Sequence, residues 1–278
     1  MIRSIFITLL LANSWAFFSC SSTNEQTYSK TEVEGRADEY SAMGDALRND
    51  RKYAEAYNYY QIATDMYLMK GSKEKFVLTR LKQAILLLKE ERFAEFLSVM
   101  KSLEIFNRVE KLALDKQIDY INARYFYQNK ETSKGNAIIL ELIKKYDEAG
   151  EFEQRGYYQF YFASQNIAAI KRETLPTMQE SLAEINKLYE NGKLTNTEAL
   201  TFANYTMCTI YLQLKDFEKA KKQIEYTESI YELLELTSKR DQILNLYIEL
   251  YSALNNNEKR NYYLDLKKEF DELVEKYK

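Results

Sequence analysis

Chemistry has few places to reside in this chain. It holds 278 residues and no histidine, which removes the usual general base, the triads built on it and the commonest metal ligand. Two cysteines remain, Cys20 and Cys208. Cys20 stands directly behind an uncharged run, Ser4 to Ser19, preceded by the single positive charge of Arg3. A charged start, an apolar middle and small residues at the exit are the parts of an export signal. Ile2 to Ser19 is short and interrupted by Arg3 and Asn13, whereas a spanning helix needs about 20 apolar residues. Cys208 lies in an apolar stretch and reads as a small hydrophobe on a helix.

The other reactive candidates are carboxylates: Glu90-Glu91, and Asp147-Glu148 with Glu151 and Glu153. No segment has the alternating Asp/Asn spacing around a central glycine that a calcium loop needs. A highly charged helical chain makes such neighbours by accident, so these clusters, like the basic run Lys219 to Lys222, read as solvated faces. Asn204-Tyr205-Thr206 has the form of a glycosylation acceptor but falls inside a predicted helix. With 39 basic against 42 acidic residues and no dense basic stretch, nucleic acid is not an expected partner.

Ser19-Cys20-Ser21 behind an apolar run resembles the signal of bacterial lipoproteins. The resemblance implies that residues 1–19 are removed and that the Cys20 thiol carries a covalent lipid, with fatty acids of the palmitate type. It implies residence on a bacterial membrane. Ser21, where an aspartate would mark retention, points to the outer membrane, with the protein facing the periplasm or the exterior. A lipidated Cys20 leaves Cys208 without an intramolecular partner in a compartment where disulfides form. That lipid is the only non-protein group expected; no cofactor and no metal is.

Behind Cys20 the chain stays polar to Gly35. Residues 20–35 read as a lipidated flexible tether, with a mean reach on the order of 20 Å from ~5–6 Å times the square root of its length. From residue 36 to 278 helical patterns follow one another. One proline and seven glycines are too few for the turns of a β-rich or α/β fold of this size. Polar breaks fall at Asn49-Asp50-Arg51, Lys70-Gly71-Ser72, Glu90-Glu91, Asn107, Asn129-Lys130, Ala149-Gly150, Glu173-Thr174, Asn191-Gly192, Lys215-Asp216, Leu236-Thr237 and Asn255 to Asn257. They predict an all-α fold of about twelve helices, joined by turns short enough to make neighbours antiparallel.

The hairpins carry an internal signature. A small residue late in one helix is followed nine residues on by an aromatic opening the next, and three further on by another packing residue. Gly44, Tyr53 and Ala56 show it, as do Cys208, Phe217 and Ala220; Ala84, Phe93 and Phe96 keep the spacing with a bulky last member. Tyr53 to Phe93 is 40 residues. This pattern resembles the tetratricopeptide repeat family, whose standard period is 34. The resemblance implies a right-handed α-solenoid of about six TPR-like hairpins. Units three (about 109–149), four (about 151–192) and six (about 238–277) share only the amphipathic hairpin pattern.

In that family the first helices of successive hairpins line a concave surface that binds partners. Carried onto this sequence, the inward positions are Tyr120, Arg124 and Tyr127 in unit three, Tyr157 and Phe160 in unit four, and Phe202 and Tyr205 in unit five. Rings grouped around one arginine suit an extended peptide, a helix or an apolar small molecule. The expectation is a non-catalytic, lipid-anchored adaptor of the cell envelope that holds a protein partner in this groove. Two alternatives are an accessory lipoprotein working with a solute-binding protein in small-molecule uptake, and a surface protein that binds host or glycan ligands. The sequence leaves the oligomeric state open.

Overall fold

The structure, a computed structural model, describes residues 30–276. Cys20, the signal at 1–19 and most of the tether lie outside the described residues. Twelve α-helices and three short 3-10 turns make up the described chain, with no strand among the described residues. Two compact units divide it, one ending at Leu112 and the other beginning at Ala113.

The first unit contains α1 (Lys30–Asn49), α2 (Tyr53–Lys70), α3 (Lys73–Lys89) and α4 (Phe93–Glu110). Each helix packs on its successor. The recurring sequence triad is the device that joins them. Gly44 faces the ring of Tyr60 so closely that a Cβ there would lie 2.5 Å from it. Tyr53 and Phe93 are the first residues of their helices, and Ala56, Ala84 and Phe96 are fully buried. Polar ties reinforce α1: Tyr67 donates to Asp38 at 2.6 Å, Tyr60 to Asp45 at 2.7 Å, and Lys75 pairs with Glu34 at 2.8 Å. Helix begins at Lys30, six residues before the expected boundary, so Lys30 to Gly35 belong to α1 rather than to a tether.

The break expected at Asn107 is not there. The α4 helix runs through it to Glu110, and Asn107 is buried, its carbonyl accepting the Leu112 amide. An asparagine mid-helix signals a turn only when its side chain lacks a place in the packing.

The second unit contains α5 (Asp115–Gln128), α6 (Thr132–Glu148), α7 (Phe152–Gln165), α8 (Leu175–Glu190), α9 (Thr197–Gln213), α10 (Phe217–Leu233), α11 (Arg240–Ala253) and α12 (Asn257–Lys276). Sequential neighbours pack, and α9 also touches α7 and α11. Its largest core gathers Phe160, Ile185, Leu200, Met207, Cys208, Ile224, Leu246 and Leu250. Cys208 is fully buried, 3.3 Å from the Thr227 hydroxyl, and burial pushes its thiol up to about 12. It is a packing residue on a helix, as its surroundings in the sequence implied. Asn204 is also fully buried, bonded to Asn186, Gln223 and the Leu200 carbonyl, so the acceptor-like triplet is sealed inside the helix packing.

One connection departs from the short-turn pattern. Residues 166–174, between α7 and α8, form two 3-10 turns, Ile167–Ala169 and Arg172–Thr174, before Pro176 in the first turn of α8. Proline is tolerated there because the first amides of a helix have no intrahelical acceptor.

Candidate functional site

Three helices of the second unit, α5, α7 and α9, bring the candidate residues together. Each is the first helix of a hairpin. Tyr120, Arg124 and Tyr127 stand four and three residues apart, which puts them along one face of α5. Tyr157 and Tyr161 share a face of α7 by the same rule, and Phe202 lies on α9, which packs against α7. The spacing makes two short rows of rings, with Phe202 a single ring beside them.

The rows meet edge to face. The Tyr120 ring centroid lies 6.1 Å from Tyr157, 5.2 Å from Tyr158 and 5.2 Å from Tyr161, at steep angles. Tyr127 reaches Tyr161 at 5.9 Å, and Phe202 lies 5.6 Å from Tyr157 and 6.3 Å from Tyr161. Such tilted contacts match the positive edge of one ring to the negative face of the next. The hydroxyls of Tyr120 and Tyr157 are 2.9 Å apart. Whichever donates, the other keeps its own proton free of the pair. The Arg124 guanidinium sits 5.8 Å from the Tyr120 ring centroid, at the edge of the seam.

Polar chemistry holds the seam without activating it. Burial raises the phenols of Tyr120, Tyr157, Tyr158 and Tyr161 above the usual range for tyrosine; on Tyr120 the Arg124 charge works against that shift. Tyr127, pushed up to about 12 by burial, donates to Asn136 at 2.7 Å, and Asn136 and Asn166 exchange paired amide hydrogen bonds at 2.9 and 3.0 Å. These hydroxyls therefore stay protonated near neutrality. They can donate hydrogen bonds and present ring surface, which is the chemistry of binding.

Five of the seven sequence-derived positions, Tyr120, Arg124, Tyr127, Tyr157 and Phe202, are thus assembled, each half-buried. Tyr205 is also half-buried but packs against the large core beside Phe202, away from the ring contacts of the seam. Phe160 does not belong there. It is fully buried in the large core, because one residue along a helix turns the side chain by about 100°. Tyr161, missed at the sequence level, takes the place assigned to Phe160. The signal for it was Gly156, whose added Cβ would lie 2.8 Å from Ile185 of α8. A glycine marks the face of close approach; Phe160 and Ala163, four and seven residues on, follow it inward, which leaves Tyr157 and Tyr161 for the seam.

Glu153 is not the solvated carboxylate that its place among Asp147, Glu148 and Glu151 predicts; it is only 7% exposed. Its carboxylate accepts from the Thr195 amide at 3.0 Å and the Thr195 hydroxyl at 2.9 Å, fastening the α8–α9 turn to the start of α7. Among the described residues no group of three or more cysteine, aspartate or glutamate side chains could hold a metal ion.

No protein-family profile and no curated protein matches this chain.

Proposed function

We propose that this chain is a lipid-anchored, non-catalytic adaptor of the bacterial envelope, a right-handed TPR-like solenoid that binds a protein partner on the first-helix face of its central hairpins. The observation that carries the reading is the half-buried aromatic seam, with Arg124 at its edge, drawn from three successive first helices. Rings and an arginine are the side chains that dominate binding energy at protein interfaces. The repeated Gly44–Tyr53–Ala56 spacing and the pairing of sequential helices support the solenoid arrangement. The lipid anchor rests on Cys20 and its flanking sequence.

Site-specific photocrosslinking tests the binding reading. A photoreactive residue at the exposed position 128, one turn along α5 from Arg124, is expected to trap one envelope protein on the membrane-bound chain, and Tyr161→Ser is expected to remove the adduct. A trapped solute-binding protein would favour the uptake role instead. Adducts spread over many proteins and indifferent to Tyr161 would defeat the adaptor reading. The anchor has its own assay: Cys20→Ala is expected to abolish fatty-acid labelling and release the chain from membranes.

A further inference from the structure

The charges around the seam are placed unequally. On α5, α6 and α7 the other cations have carboxylate partners: Lys116 pairs with Glu151 at 3.0 Å, Lys145 with Asp119 at 3.6 Å, Lys144 with Glu148 at 3.9 Å, Lys134 with Glu131, and Arg155 with both Asp147 and Glu184. Arg124 is different. Half-buried on α5, it contacts the Tyr120 ring and forms no ion pair or hydrogen bond among the described residues. At the α9 side lies Glu198, in the first turn of that helix and one turn before Phe202 on the same face, and its negative charge acts on the hydroxyls of Tyr120 and Tyr157. The seam is therefore polarised, cationic at its α5 end and anionic toward α9, with ring surface between.

Resting on the peptide-binding reading above, we infer that the occupant of the seam is an internal polypeptide segment with an aspartate or glutamate side chain that pairs with Arg124, followed by apolar or aromatic side chains that pack on Tyr157, Tyr161 and Phe202. A planar guanidinium offers two parallel donors that match a carboxylate, and a partner already flattened against a ring loses little freedom on pairing. A chain-terminal carboxylate would call for several converging donors, whereas the seam supplies one cation. Glu198 sets the direction of the segment, since a second acidic side chain at the α9 end would be repelled.

The test is a selection of random peptides, displayed with both ends blocked, on the full chain. The enriched peptides are expected to fix an acidic residue beside apolar or aromatic ones. Resynthesised and titrated, they are expected to bind Arg124→Gln roughly tenfold more weakly than the unaltered chain, and Arg124→Glu should select lysine or arginine at the same place. Helical circular dichroism confirms that each variant is folded, and the reversed selection is a gain that a misfolded protein cannot produce. If enriched peptides depend on Tyr161 but fix no acidic residue, or bind Arg124→Gln unchanged, the carboxylate inference falls while the seam stands. If no peptide is enriched in a Tyr161-dependent way, both fall.

Discussion

At the scale of single residues, glycines decide how closely these helices approach. Gly44 and Gly35 lie in the same helix with opposite surroundings: Gly44 abuts the buried Tyr60 ring, and Gly35 has nothing within 4 Å of an added Cβ. Alanine favours helix over glycine by about 0.8–1 kcal/mol at either place. At position 35 that gain meets no opposing contact, so Gly35→Ala is expected to stabilise by up to about 1 kcal/mol. At position 44 the Cβ forces the ring aside while its hydroxyl is held by Asp45, and overpacking of this kind costs ~1–3 kcal/mol. Gly44→Ala is therefore expected to lower the urea midpoint despite its better propensity. A raised midpoint would show that Tyr60 gives way freely. Phe160 supplies a matching contrast with the seam: Phe160→Ala removes a fully buried ring and is expected to cost ~3–5 kcal/mol, a loss readable in the same denaturation.

At the scale of elements, a repeated turn does most of the joining. Nine helix ends among the described residues close with the same pair of bonds, as where Arg51 N–H reaches the Arg48 carbonyl and Lys52 N–H reaches Leu47. This is the double-bonded helix terminator with a left-handed residue after the helix. Glycine fills that place at 71, 150 and 192, while Arg51, Glu91, Lys130, Lys215, Glu235 and Asn255 hold it with φ between 54° and 62°. A left-handed residue other than glycine costs roughly 1–2 kcal/mol. Glu91→Gly and Lys215→Gly are thus expected to stabilise by about 1 kcal/mol each, and Gly150→Ala to destabilise similarly; equal midpoints for all three would mean the turns relax. These turns explain what the sequence made legible. The break residues stand out as polar interruptions between apolar faces, so ten of the eleven expected boundaries fall between helices, most of them without glycine or proline. Asn107 misled because its polarity serves burial. Position along the chain was readable, but rotation about each helix was readable only where a small residue fixed the face. On α7 that residue is Gly156, which sends Phe160 inward and leaves Tyr161 beside Tyr157; the positions carried over from the repeat pattern bring Tyr120, Arg124, Tyr127, Tyr157 and Phe202 together but place Phe160 one residue off. Glu153 was opaque for a different reason: its partner, Thr195, lies 42 residues away.

At the scale of the whole molecule, the 24 tyrosines link stability to pH. In the first unit burial raises the phenols of Tyr60 and Tyr67, and their hydroxyls donate to Asp45 and Asp38. In the second, burial raises Tyr157, Tyr158, Tyr161, Tyr231 and Tyr247, while Tyr127 and Tyr263 are pushed up to about 12. Tyrosine in an unfolded chain titrates near ~10. Above that pH the unfolded chain releases protons that the folded chain retains, so linkage favours unfolding. The stabilisation is complete below about pH 10 and is lost progressively as pH rises from there through the folded-state values. Ionisation also strips the donor from each tyrosine–aspartate bond and sets two negative charges side by side. Both units carry such groups, so neither escapes the transition. In an alkaline titration without denaturant, the rise of tyrosinate absorbance for these buried rings is expected to coincide with loss of helical circular dichroism above pH 10, and Tyr60→Phe with Tyr67→Phe should move the first unit's share of that loss to higher pH. If every tyrosine ionises near pH 10 while the helical signal persists, the rings are reached by solvent in the folded chain and the packing drawn around them is wrong.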